Sequence, residues 1–181
     1  MRRAVFLDRD GVLNKAFVRN GKPYPPTTLN EFEILPGVAE ALGALSRAGF
    51  LLIVATNQPD VANGKQRREV VEAMHKKLRD ALPLDDIKVC YELDSPASTR
   101  YKPEPGMLLE ASREREIDLT RSYMVGDRWR DVGAGRRAGC VTIFIDRGYT
   151  EPLTETPDET CADLPQAAAF ILKHSSAANP S

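Results

Sequence analysis

An unbroken apolar run, Ala4-Val5-Phe6-Leu7, ends abruptly at Asp8-Arg9-Asp10-Gly11-Val12-Leu13-Asn14. A short run of this kind suits a strand buried on both faces, as in a parallel sheet covered by helices. The chain then places two carboxylates at the strand's carboxyl end, where open α/β sheets bind their ligands. Gly11 tolerates a positive φ, so the backbone can curl beyond the strand and let both carboxylates serve one centre. An Asx-rich turn would use the same residues, but it would not need a buried strand in front of it.

The same pattern recurs along the chain. Apolar runs predict strands over 4–7, 50–55, 87–91, 122–125 and 141–145. Apolar residues at helical spacing predict helices over 37–48, 66–82, 106–116, 130–138 and 164–173. Strand and helix alternate, which defines an α/β fold: one Rossmann-like, doubly wound, mostly parallel sheet of five strands. Residues 12–36 are rich in Pro, Gly, Asn and Thr and read as loop or a short hairpin; a connection this long is usually functional. At 181 residues the chain can bury a core without a staple, so one domain is expected over 1–175, with a flexible Ser, Ala and Pro tail at 176–181.

Composition narrows the partners. Charged residues are 28 % of the chain, but 25 basic side chains face 26 acidic ones, which leaves no electrostatic footprint for a nucleic acid. No apolar run approaches a membrane span, and the four apolar residues after Met1-Arg2-Arg3 are too few for a signal peptide. Cys90, Cys140 and Cys161 are odd in number and widely spaced, as expected of reduced thiols rather than a disulfide framework. The expectation is a cytoplasmic, soluble protein, either monomer or homo-oligomer.

The strand ends deliver Asp8 and Asp10, then Thr56 in Val54-Ala55-Thr56-Asn57-Gln58, then Asp127 in Val125-Gly126-Asp127-Arg128-Trp129-Arg130-Asp131; Lys102-Pro103 precedes a helix. In a parallel sheet these ends share one edge. Three carboxylates without a histidine suit Mg²⁺, which takes carboxylate, water and substrate phosphate oxygens. A hydroxyl and an ammonium beside them would orient and neutralise a phosphoryl group.

Together these motifs, in this order, resemble the haloacid-dehalogenase-type phosphatases. The resemblance implies Asp8 as the nucleophile that forms an aspartyl-phosphate and Asp10 as acid, then base. It implies Mg²⁺ held by Asp8, the Asp10 carbonyl and Asp127, with Thr56 donating to the phosphoryl group and Lys102 balancing its charge. Asp131 lies one helical turn after Asp127 and either ligates the metal, directly or through water, or acts as a carboxylate at a helix amino terminus. Asn57, Gln58, Lys65 and Arg128 are the expected substrate contacts.

Glu33-Ile34-Leu35-Pro36-Gly37-Val38 and Lys102-Pro103-Glu104-Pro105-Gly106-Met107-Leu108 extend the resemblance to the small branch that includes heptose-bisphosphate and histidinol-phosphate phosphatases. Only 48 positions separate Asp8 from Thr56 and 46 separate Thr56 from Lys102, room for one crossover and a loop each, so no cap domain is expected. That branch usually carries a Cys-x-His and Cys-x-Cys zinc loop before the lysine. Here Cys90 alone remains and no histidine lies near it, so no zinc is expected. The branch also carries arginine where this chain has Tyr101, and a phenol supplies neither its charge nor its fork.

The implied activity is hydrolysis of a small phosphorylated metabolite, with a heptose bisphosphate first and histidinol phosphate or another sugar monophosphate second. A binding module that has drifted from catalysis is the alternative of a different class. The intact Asp8, Asp10, Thr56, Lys102 and Asp127 favour the enzyme.

Overall fold

A computed structural model describes residues 1–177. Six strands form one sheet in the order β5-β4-β1-β6-β7-β8: β1 Arg3–Leu7, β4 Phe50–Asn57, β5 Asp86–Cys90, β6 Tyr123–Gly126, β7 Val141–Ile145 and β8 Glu159–Cys161. Every pairing in it is parallel. A separate antiparallel hairpin, β2 Phe17–Arg19 with β3 Lys22–Tyr24, rises from the long connection after β1.

Helices α1 Val38–Arg47, α2 Arg68–Ala81 and α5 Leu164–Ala177 cover one face, and α3 Gly106–Arg115 and α4 Trp129–Ala138 the other. The two-residue period of the strands divides the core accordingly. Val5, Leu7, Leu52 and Val54 pack with Leu42 and Leu45 of α1 and Met74 and Leu78 of α2. Phe6, Leu51, Ile53 and Ala55 pack with Met107 and Leu108 of α3. Leu42 and Leu45 are fully buried; truncating either to alanine would cost about 2–5 kcal/mol.

The five expected strands are present, and a sixth joins them. The segment Glu159-Thr160-Cys161 is too short and too polar to announce a strand. It is fastened to the edge by Asp158, whose Oδ2 accepts from the Thr142 N–H at 2.7 Å and the Thr142 hydroxyl at 2.8 Å. The last helix also outruns its expected end at Lys173. His174 accounts for the extension, since it stacks on Phe170 at 5.4 Å and its Nδ1 lies 2.9 Å from the Tyr123 hydroxyl. Residues 176 and 177 of the expected tail are therefore helical, and 178–181 lie outside the described residues. No helix among the described residues is long and apolar enough to cross a membrane.

From β1 the chain winds outward through β4 and β5, then returns to β6 on the other side of β1. The winding thus reverses at β1, and the crevice beyond its carboxyl end is where such sheets hold ligands.

Candidate active site

Beyond Leu7 the backbone curls at once. The N–H groups of Val12, Leu13 and Asn14 all turn back to the Arg9 carbonyl, at 3.3, 2.8 and 3.2 Å. Gly11 takes φ 86°, and a Cβ there would lie 1.9 Å from Asp127 Oδ2. Only glycine lets the first loop approach the third strand end this closely. Gly126 is constrained in the same way, since its Cβ would meet Asp131 Cβ at 2.1 Å.

This close approach gathers three buried carboxylates. Ligand oxygens of Asp8, Asp127 and Asp131 lie within 4.8 Å of one another. Lys102, also buried, reaches Asp8 Oδ1 at 2.7 Å and Asp131 Oδ1 at 2.5 Å. Asp131 serves two purposes at once, because its Oδ2 accepts from the Arg128 N–H at 3.0 Å and so caps α4. The Tyr149 hydroxyl donates to Asp127 Oδ2 at 2.7 Å, while Asp127 Oδ1 is buried without a partner.

The electrostatics of the group follow from its burial. Asp8 is pushed up to about 6 by desolvation, with the pull of Lys102 outweighed once the repulsion of Asp131 is added. Desolvation raises Asp127 well above the carboxylate range, and Asp8 and Asp131 add to it. Lys102 is desolvated too, yet Asp131 and Asp8 hold its ammonium charged and drive its pKa upward. Three carboxylates against one ammonium leave a deficit of two positive charges. A divalent cation fits that deficit, and the orphaned Asp127 Oδ1 offers it a ligand.

Asp10 is oriented differently. Its carboxylate accepts from the Arg9 guanidinium at 2.9–3.2 Å, from Asn14 Nδ2 at 2.9 Å and from Gln58 Nε2 at 3.0 Å. It lines the cleft but is not one of the three clustered carboxylates. Thr56 is buried at the end of β4, where its Oγ1 accepts from Gln58 Nε2 at 3.0 Å and keeps its own proton free to donate. Asn57 brackets the lysine backbone: its Oδ1 accepts from Lys102 N at 3.0 Å, and its Nδ2 donates to Lys102 O at 3.1 Å.

An open cleft of about 220 Å³ lies over these groups. Asn57, Gln58 and Arg128 line it as the sequence suggests; Lys65 is exposed and does not. The turn around Lys65 folds on itself, with its N–H bonded to Asp60 O and Asn63 Oδ1, so the side chain is not brought to the site. The long connection 12–36, expected to be functional, does reach the cleft, through Pro23 and Tyr24 of the hairpin and Pro25 just after it; the sequence reading singled out none of these three, nor the Arg128 partner Glu151. It also missed Tyr149, although the rule that strand carboxyl ends carry function applies equally to β7, which ends four residues before it. The segment before Lys102 is held by local hydrogen bonds: Ser98 Oγ accepts from the N–H groups of Arg100 and Tyr101 at 3.3 and 3.0 Å.

Comparison with known proteins identifies the family. The HAD-hydrolase-like family profile matches residues 100–169. The D-glycero-D-manno-heptose-1,7-bisphosphate 7-phosphatase of Thermosynechococcus vestitus is 33 % identical, over 96 % of this chain and 97 % of its own. The D-glycero-beta-D-manno-heptose-1,7-bisphosphate 7-phosphatase of Escherichia coli K12 is 35 % identical, over 91 % and 92 %. The crystal structure of the B. bronchiseptica D,D-heptose 1,7-bisphosphate phosphatase, complexed with magnesium and phosphate, superposes with a TM-score of 0.79 at 27 % identity, covering 95 % of this chain and 99 % of that one. With such identity over nearly its whole length, the chain belongs to the haloacid-dehalogenase-type heptose-bisphosphate phosphatases, a family of phosphoric monoester hydrolases.

Proposed function

We propose that the protein removes one phosphate from D-glycero-D-manno-heptose 1,7-bisphosphate, using Mg²⁺ and an aspartyl-phosphate intermediate. The observation that carries this reading is the convergence of Asp8, Asp127 and Asp131 on Lys102 beneath one cleft. The substrate follows that of the relatives, which are heptose-1,7-bisphosphate 7-phosphatases.

Asp8 is the nucleophile. Its carboxylate attacks phosphorus, the bond from phosphorus to the sugar oxygen breaks, and Asp10 delivers a proton to that oxygen. Asp10 then takes a proton from the water that attacks the aspartyl-phosphate, which releases phosphate and restores Asp8. Gln58 and Asn14 hold Asp10 for this exchange, and Thr56 donates its hydroxyl proton to the phosphoryl group. Asn57 fixes the lysine backbone from both sides, so that Lys102 meets the transferring group with its charge already in place.

Asp8, Asp127 and Asp131 would hold the cation, which when bound supplies the positive charge that lets a carboxylate approach a phosphate dianion. A structural zinc is not part of the proposal. Cys90 is buried at the end of β5, desolvation raises its thiol, and residues 91–101 contain neither cysteine nor histidine.

The test is phosphate release from heptose 1,7-bisphosphate and from histidinol phosphate, with Mg²⁺, with EDTA, and by Asp8→Asn. Turnover of the heptose that is lost with either EDTA or Asp8→Asn is expected. Turnover of histidinol phosphate alone would overturn the substrate, and full activity in Asp8→Asn would overturn the mechanism.

A further inference from the structure

The cations of the cleft are Lys102, Arg128 and Arg130. Lys102 is taken up by two buried carboxylates. Arg128 is clamped by both oxygens of Glu151, at 2.9 and 2.6 Å. Arg130 stands apart, because its carboxylate partner is Asp94, at 2.8 Å, whose side chain is 59 % exposed against 20 % for the arginine. A pair with so exposed a partner contributes about 1 kcal/mol or less, so an incoming anion can displace it.

The guanidinium itself is built into place. It lies 4.5 Å from the centroid of the Trp129 ring and 5.3 Å from that of Tyr101, and its Nη1 reaches the Lys102 carbonyl at 3.4 Å. Two aromatic faces restrict its rotamers without neutralising its charge. The Lys102 carbonyl ties it to the same residue whose ammonium meets Asp8. Arginine held in this way offers a planar fork to a phosphate with little ordering left to do.

We propose that Arg130 is a specificity-determining residue that binds a second, non-reacting phosphate of the substrate, exchanging Asp94 for it. The inference deepens the bisphosphate reading above and rests on it. Tyr101 and Trp129 are positioning residues that hold the fork toward the cleft.

The test is calorimetric binding of glucose 1,6-bisphosphate and glucose 6-phosphate to Mg²⁺-loaded Asp8→Asn protein, alone and combined with R130M, R130K or D94N. Without turnover, the ratio of the two affinities isolates the second phosphate. The expected result is tighter binding of the bisphosphate by the Asp8→Asn parent, and a roughly 10–100-fold loss of that preference in R130M, the range of a charge-assisted hydrogen-bonded contact. Affinity for the monophosphate should stay within about threefold. R130K should recover part of the preference, and D94N should bind the bisphosphate more tightly by freeing the fork. D94N leaves Arg130 intact, so the test does not depend on R130M alone.

Absence of a bisphosphate preference in the parent would overturn the proposal, as would equal losses on both ligands in R130M with no gain in D94N. If the wild-type enzyme fails on heptose 1,7-bisphosphate while R130M still abolishes the preference, the substrate reading falls and the assignment of Arg130 stands.

Discussion

Lys102 Nζ and Asp8 Oδ1 lie 2.7 Å apart, both buried, although 94 residues separate them in the chain. The same ammonium also reaches Asp131, so one cation compensates two buried carboxylates. Removing it by Lys102→Met leaves those carboxylates facing each other in a dry site. The expected cost to folding without metal is about 3–5 kcal/mol. Mg²⁺ should restore more stability to this variant than to the wild type, because the dication replaces the missing charge. Activity should fall by a factor of ~10² or more even at saturating Mg²⁺, since charge at the transferring group is lost. Urea unfolding with and without Mg²⁺, beside steady-state phosphate release, checks all three. An Mg²⁺ stabilisation equal to wild type would sink the argument.

Tyr149 acts on the site through Asp127. Its hydroxyl holds Asp127 Oδ2 and leaves the orphaned Oδ1 for the cation. Tyr149→Phe removes that hydrogen bond and keeps the ring. Outer groups of this kind typically set metal affinity within a factor of 10–100. The expected outcome is a rightward shift of about that size in the Mg²⁺ dependence of activity, with the plateau less affected. A Mg²⁺ titration of both proteins measures it, and superimposable curves would show that Asp127 needs no such orientation.

Much of this site was legible in the chain because it sits at strand ends. Asp8, Thr56 and Asp127 each follow an apolar run, and a parallel sheet carries such ends to one edge whatever their separation. The alternation of strand and helix likewise exposed five of the six strands. Contacts between loops are another matter. Nothing local in Gly148-Tyr149-Thr150-Glu151 says that the tyrosine will meet Asp127 or the glutamate Arg128, since both depend on where the β7 exit folds over the sheet. Lys65 depends on its loop in the same way: the turn that bonds its N–H to Asn63 Oδ1 leaves the residue exposed and outside the cleft lining. Arg9 shows a third limit, for a charged residue in a strand-exit motif reads as surface, yet it is fully buried between Asp10 and His75.

Gly11 sets how closely the first loop can approach Asp127. A methyl group there meets both Asp127 Oδ2 and the Tyr149 hydroxyl, and the backbone is held at φ 86°. Gly11→Ala therefore imposes strain of about 1–3 kcal/mol and pushes Asp127 off its place. Activity should fall by about 10²-fold, the scale of a displacement near 1 Å at a reacting centre. Circular dichroism should remain that of the folded enzyme. Wild-type kinetics in a folded Gly11→Ala protein would show that the close approach is dispensable.

His75 gives the fold a specific acid sensitivity. Arginine is only a donor, so the 3.2 Å contact between Arg9 Nη1 and His75 Nε2 requires a lone pair on that nitrogen and a neutral ring. Burial, then the charge of Arg9, lowers His75 from 6.5 to about 3. The sign follows from linkage. The unfolded chain takes up this proton near pH 6.5 and the folded chain does not, so the contribution is complete above pH 6.5 and is lost as pH falls toward 3. The slope approaches about 1.4 kcal/mol per pH unit within that window. His75→Gln keeps an acceptor for Arg9 but does not titrate. It should therefore be less stable than the wild type at pH 7.5 by a packing cost of about 1–2 kcal/mol, and the gap should close or reverse by pH 4.5. Urea unfolding of both proteins across that range measures the difference directly, free of the carboxylates common to both, and a gap that stays constant with pH would show that His75 takes up its proton equally in the folded and unfolded chain.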